Sequence, residues 1–368
     1  MNIKSLQSFT AFAALLPAWS LLAAQQPASN AQSDEVLPTI KLEPVSEEMK
    51  NRIGLDYRMG LNIMVDFRHL GGLALSSPGP ATGSAVNRNY DNGYSRVDVS
   101  TNAGALTWNW GYENPNSLQT DELSLQSYRS LPNGVSKNQQ DDPQHGGEIF
   151  YQRELMRGKR WHLGAEAAFG STSISVSDSH TLKNTSFRTN DTYPLGGIIA
   201  PLAPYHGTFE GPGPLIPSVP QSRSTDVLAR SATATGERTL DADVFMLRLG
   251  PYLELPLYKR LSVLMNAGLT LASARSQFSW NEKVTISDPA NNIDLVSGHR
   301  SGSGSQTDFL VGWYAGGSLE YALTKRINLL AGAQYQAAGH AVNTRNGKNS
   351  LLDMGSSIIV SFGAAYSF

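Results

Sequence analysis

From Ile53 to Phe67 the side chains alternate without a break: Ile53, Leu55, Tyr57, Met59, Leu61, Ile63, Val65 and Phe67 against Gly54, Asp56, Arg58, Gly60, Asn62, Met64 and Asp66. A period of two gives a strand one apolar and one polar face. Strands in soluble sheets usually stop at about 5 or 6 residues. This one covers the roughly 9 to 11 tilted residues that a strand needs to cross a bilayer.

The same grammar returns along the chain. Leu247, Leu249, Leu253 and Leu255 form one face around Arg248 and Glu254, and after a break at Pro256–Arg260 the residues Leu261, Val263, Met265, Ala267, Leu269 and Leu271 form another. Phe309, Val311, Trp313, Leu319 and Tyr321 alternate with Asp308, Gly312, Gly316 and Glu320, and a Thr324–Lys325 turn leads into Ile327, Leu329, Ala331 and Tyr335. Residues 160–176 repeat the pattern around Glu166. Residues 147–157 are ambiguous in face: Gln152 and Glu154 turned inward leave Arg153 toward lipid, and the opposite choice exposes the two polar residues.

Tight links at 157–159, 256–259 and 324–325 alternate with long ones near 70–145, 177–241, 281–305 and 341–350. Short turns at one end and long loops at the other are a membrane-barrel arrangement. The expected fold is therefore all-β, a closed antiparallel up-and-down barrel of about eight strands (53–67, 147–157, 160–176, 242–255, 260–279, 306–323, 326–340 and 351–368). Alternation at Leu106, Trp108, Trp110 and Tyr112, at Leu123 and Leu125, and within 222–240 keeps ten to fourteen strands open.

Composition agrees. Charged residues are 16%, Gly is plentiful at 34 copies and Cys is absent, a balance that suits apolar residues spread thinly along alternating strands with long polar loops between them. A net charge of -2 leaves no footprint for nucleic acid. Lys4 and the apolar run Phe9–Ala24 read as a signal peptide over residues 1–24. Residues 25–51 read as a periplasmic linker, and 52–368 as the barrel.

The last strand alternates Leu352, Met354, Ile358, Val360, Phe362, Ala364, Tyr366 and Phe368 with small and polar residues, and ends on Phe. In this the chain resembles outer-membrane β-barrel proteins, whose closing strand carries an aromatic terminal residue; Gly363, Tyr366 and Phe368 match that pattern. At eight strands it is similar to the small barrels typified by the outer membrane protein A transmembrane domain. The resemblance implies a bacterial outer-membrane location, contact with outer-membrane lipids and engagement of the barrel assembly machinery. It carries no catalytic residue, cofactor or metal site across.

An interior of eight strands is only wide enough for side chains to fill. The inward charges Asp56, Arg58, Asp66, Glu166, Arg248, Glu254, Asp308, Glu320 and Asp353 are therefore expected to form a packed network centred on Arg58 and Arg248. Aromatic residues near strand ends suit interfacial girdles. Trp108, Trp110 and Tyr112 offer either an aromatic surface for a sugar or partner, or a hairpin that packs its own small core. The proline-rich stretch 193–220 cannot be a central strand. It reads either as a lid folded over the mouth or as a surface loop, and its apolar residues Ile198, Ile199, Leu202 and Leu215 favour the lid.

Seven scattered histidines and the absence of HExxH or GxSxG give no sign of an enzyme. The reading is a barrel with an envelope-structural or surface-interaction role, its long loops open to an extracellular ligand or partner. The competing reading is a porin for small hydrophilic solutes, which needs a wider barrel. A third, a membrane-embedded hydrolase, needs a His and a nucleophile or Asp pair converging at the rim.

Overall fold

The structure is a computed structural model and describes residues 50–368 apart from 84, 101, 140–142 and 289–292. The expected signal peptide, and the linker up to residue 49, lie outside the described residues.

Eight strands close into a ring. In chain order they are β1 (Asn51–Leu61), β2 (Gln144–Arg157), β3 (His162–Asp178), β4 (Ser222–Tyr258), β5 (Leu261–Asp288), β6 (Ile293–Ala322), β7 (Ile327–Ala337) and β8 (Ser357–Ser367). Each pairs antiparallel with the next, and β8 returns to β1 over Arg52↔Ser367 to Leu61↔Ile358. At the closing end Asn51 and Phe368 exchange backbone hydrogen bonds of 3.1 and 2.9 Å. The short links 158–161, 259–260 and 323–326 lie at that same end and the connections 62–143, 179–221 and 338–356 leave from the other; the long link expected over 281–305 is instead taken up by strand, since β5 runs on to Asp288 and β6 starts at Ile293. Of the segments that kept a larger ring open, Trp110–Tyr112 and Glu122–Ser130 form strands outside the ring, and 222–240 is the upper part of β4 and adds no strand of its own.

Outward residues define a band with a level upper edge. On β5 they read Leu261, Val263, Met265, Ala267, Leu269 and Leu271, then Ser273, Arg275, Gln277, Ser279, Asn281 and Lys283. Register places Phe245, Ser273 and Phe309 side by side, and one step higher Asp243, Arg275 and Thr307. Eleven residues at about 3.3 Å and a tilt of roughly 40° span about 25 Å, the height of a barrel's lipid-facing band. Trp161, Tyr258, Tyr321 and Tyr366 mark its lower rim and are exposed or nearly so, as amphipathic rings at a membrane interface are.

Above the band the barrel changes shape. β4, β5 and β6, at 37, 28 and 30 residues, run on as a tall wall. The strands opposite them bend inward. Met64–Leu70 continues β1, Gly134–Gln139 precedes β2, His340–Arg345 follows β7 and Lys348–Asp353 precedes β8, and the four pair in the same lateral order as the strands below them. The bends are local: Asn62 has φ 58° and its side chain donates to the Ser356 carbonyl at 2.8 Å, while Gly339 has φ 85°, a left-handed conformation that costs glycine nothing.

Each bend also swaps faces. In β1 the odd residues Ile53, Leu55 and Tyr57 face outward, but past Asn62 the odd residues Ile63, Val65 and Phe67 are buried inside. Leu352 and Met354 point inward where Ile358 and Phe362, of the same parity, point outward. The inward set meets Leu240, Val244, Met246, Ala274 and Phe278 of the tall wall in a dry core, with Phe67 and Phe278 stacked at 5.7 Å.

A height test follows from the level edge. Met265→Arg, within the band, should destabilise the barrel by about 2 to 4 kcal/mol. Gln277→Arg, equally outward on the same strand but above the band, should stay within about 0.5 kcal/mol. Urea unfolding midpoints in lipid vesicles check both; equal effects would show that the band is not the lipid-facing belt.

Candidate functional site

Inside the membrane-spanning ring a network of paired charges lies beside a small apolar cluster of Phe150, Ala168, Leu330 and Ala365. Glu148 of β2 is the hub, accepting from Arg58 at 2.5 Å and from Arg248 Nε at 2.9 Å. Arg248 also reaches Glu166 at 3.4 Å, and Gln152 and Asn266 donate to the same carboxylate at 2.7 and 3.1 Å. Toward the closing end Arg52 bridges Glu320 at 2.6 Å and contacts Glu254, with its guanidinium 5.7 Å from the Tyr252 ring. All three arginines are almost fully buried. Buried ions are tolerated only when paired and hydrogen-bonded. Here the ring supplies partners from several strands at once.

Among the residues expected in this network, Arg58, Glu166, Arg248, Glu254 and Glu320 are joined in it. Asp56 lies beside it, lining the same small cavity. Three expectations need correcting. Asp66 pairs with Arg68 at 2.7 Å and Asp353 accepts from the Gly355 amide at 2.8 Å, both above the face swap that turns them away from the interior. Asp308 faces inward but above the band, where it accepts from the Val342 amide at 3.1 Å and serves unpaired backbone at the seam between β6 and His340–Arg345. Glu148 and Arg52 were missed. Taking Ile149, Tyr151 and Leu155 as the lipid face of β2 would have found Glu148; Arg153 then faces outward near the closing end, where a long basic side chain can reach the interface.

Gly363, Tyr366 and Phe368 lie on or beside β8 in the ring's closing seam. A Cβ at Gly363 would stand 1.9 Å from Asp56 Oδ1 and 2.2 Å from the Leu55 carbonyl, so only glycine lets β8 close against β1 there.

A cavity of ≈ 40 Å³ lined by Asp56, Arg58, Glu148 and Glu166 sits within the ring, room for a few waters at most. The dry core of Val65, Phe67, Leu240 and Phe278 lies directly above.

Outside, the long connections fold into a cap. The upper half of β4 pairs with Leu182–Pro194, which pairs with Glu122–Ser130. Against these packs a cluster of Tyr90, Trp110, Tyr112, Leu123, Leu125, Tyr193, Leu195 and Ile216. Trp110 and Tyr112 are wholly buried there, which corrects their reading as a binding surface; both rings are too large and apolar for the cap to leave outside while it has a core to fill. Trp108 is half-buried and donates to the Phe209 carbonyl at 2.7 Å. The proline-rich stretch wraps this aromatic strand, taking the Trp110 indole N–H on the Pro214 carbonyl at 2.8 Å. It covers the cap's core and not the barrel mouth. Beneath it Tyr90 donates to Asp191 at 2.5 Å and Arg223 closes the group from the other side at 2.6 Å; burial pushes the Tyr90 phenol well above its ordinary range.

His69 and His299 line one groove beside Trp280, and the other described histidines stand on separate partners. His180 Nδ1 is 2.6 Å from Asp178, whose second oxygen is taken by the buried Arg238 at 2.9 Å. His206 stands 3.7 Å from Glu113, and His145 contacts Tyr57 at 2.5 Å. Among the described residues no group of His, Cys, Asp and Glu is arranged to hold a metal ion.

An even-numbered, closed antiparallel barrel with an apolar outer band, short turns at one end and long loops at the other is the outer-membrane type of transmembrane β-barrel. The chain has the architecture of that class. No family model and no curated protein matches it. Among solved structures it is similar to Ail, the attachment invasion locus protein of Yersinia pestis, at 10% identity over 87% of this chain and 99% of that one, with a TM-score of 0.28. It is also similar to the outer membrane protease OmpT of Escherichia coli, at 8% identity over 88% and 98%, TM-score 0.33. A FadL homologue of Pseudomonas aeruginosa matches at 9% identity over 87% and 90%, TM-score 0.17. At these scores the geometry above, and not the likeness, carries the reading.

The hub predicts a specific weakness. Glu148→Ala leaves Arg58 and Arg248 buried without their shared carboxylate and should cost about 3 to 5 kcal/mol. Heat-modifiable migration in gels and the urea midpoint report it. Glu154→Ala, at the closing end where its partner Arg157 is partly exposed, should cost about 1 kcal/mol or less.

Proposed function

We propose that this protein is a closed barrel that anchors a folded outer cap, with an envelope-structural or surface-interaction role, and that it does not conduct solutes. The observation that carries this reading is the double filling of the interior: an ion-paired layer within the membrane, with a cavity of only ≈ 40 Å³, and a dry apolar core above it. A porin needs a wider ring and an aqueous lumen. Here the wall bends inward, and the apolar residues that could have faced solvent fill the space. The cap supports the same reading from the other side, because a large share of the chain folds into an outer structure with its own core.

Single-channel recording of the refolded protein in a planar bilayer tests it. The expected result is no stable conductance from protein shown to be folded by heat-modifiable migration. Reproducible large steps would overturn the reading and make the chain a porin.

A further inference from the structure

At the top of the flattened barrel, where the Arg345–Lys348 hairpin faces β6 and the strand Leu73–Ala74, lies a groove of ≈ 730 Å³. Its charged and aromatic lining is His69, Arg129, Trp280, His299, Arg300 and Lys348, with no carboxylate among the lining residues. The chain as a whole carries a net charge of -2, so this concentration of basic side chains is local.

The floor is neutral. Lys348 pairs with Glu282 and lies 4.5 Å over the Trp280 ring; Glu282 also takes Arg238 at 3.2 Å, and Arg238 takes Asp178. The walls are not. Arg129 rests with its guanidinium 4.9 Å from the Phe187 ring, and Arg300 donates to the Ala74 carbonyl at 3.3 Å. Among the described residues neither forms an ion pair. Ala74 is the cross-strand partner of Arg129, so the two guanidinium-bearing chains flank one residue. Uncharged groups thus hold both arginines in place; Glu282, the cross-strand partner of Arg300, is already shared by Lys348 and Arg238, so the groove keeps a surplus of positive charge. Planar guanidinium forks match tetrahedral oxyanions in geometry and charge.

We propose that this groove binds a multiply charged oxyanion, a phosphate or sulfate ester, carried on a polar scaffold of saccharide size. A volume in the range of small-molecule sites exceeds what one inorganic oxyanion fills. Ser130, Ser301 and Asn346 in the lining supply neutral hydrogen-bonding groups for the scaffold. Trp280 stands nine residues beyond Leu271 on β5, which at about 3.3 Å per residue and a roughly 40° tilt sets the groove on the order of 20 Å above the lipid band. The proposal rests on the reading of the long connections as the outer, surface-presenting end.

The test is calorimetric titration of the full refolded chain in detergent with inorganic tripolyphosphate at low ionic strength. Binding is expected, weakening as salt rises. Arg129→Ser/Arg300→Ser should lose about tenfold or more in affinity, since hydrogen bonds to charged groups are at stake. Arg275→Ser, on the outer surface just above the lipid band, should leave affinity unchanged. Heat-modifiable migration of each variant shows that it is folded. No binding by the wild type, or wild-type binding by the folded double variant, overturns the proposal.

Repeating the titration in vesicles with and without lipopolysaccharide separates the two sources of such an ester. Loss of tripolyphosphate binding when lipopolysaccharide is present assigns the groove to phosphates of its own membrane, and undiminished binding assigns it to a soluble ligand. Conductance reports the lumen and titration reports the groove, so failure of one leaves the other readable.

Discussion

A bilayer offers nothing for a backbone N–H or C=O to bond, and that constraint orders everything else in this molecule. It forces the strands into a ring, and register from Asn51 to Phe368 closes that ring at eight. Eight strands leave an interior only as wide as side chains. Gly363 shows how tight the closure is, since even a methyl group there would collide with Asp56 and the Leu55 carbonyl. What fills the interior must satisfy itself, and Glu148, shared between Arg58 and Arg248, is the joint through which strands β1, β2 and β4 do so.

Beyond the lipid the constraint relaxes and a different one takes over. Backbone groups can reach water, so the wall need not stay round. Bends at Asn62, Gly339 and 355–356 lean four strands against the tall wall of β4, β5 and β6. The hydrophobic effect, which does nothing between apolar faces in lipid, acts again once the strands emerge. Phe67 and Phe278 stack where, lower down, a salt bridge would stand. The result is a stalk of two chemistries in series, ionic in the membrane and apolar above it.

The cap follows the rule of small soluble domains. Trp110, Tyr112, Tyr193 and Tyr90 supply enough apolar area to hold a core, and proline-rich backbone wraps it with its carbonyls turned to the indole N–H groups. Ile199, Leu202 and Val99 stay exposed at the cap's surface, and the basic groove lies where the first long connection meets β6. Structure inside the cap and the barrel is settled by burial and pairing; the groove is where charge is left over.

By itself the sequence determined the class and which end carries the long loops, because period-two alternation and link length are local properties and lipid enforces them strictly; it pointed to about eight strands but left ten to fourteen open, and closure of the ring decided the number. It also marked Arg58, Arg248, Glu166, Glu254 and Glu320 as inward, since each sits opposite apolar neighbours on its own strand. It could not show the face swap. The odd residues of 53–67 read as one stripe, yet Leu55 meets lipid and Phe67 meets Phe278, and the turn between them depends on one residue at φ 58°. That reversal carried Asp66 and Asp353 out of the interior and closed the mouth from above. The joining of Ala74, Arg129 and Arg300 into one groove likewise needed the tertiary fold. These residues lie far apart along the chain, and only the folding of the first long connection back against β6 brings their charges together.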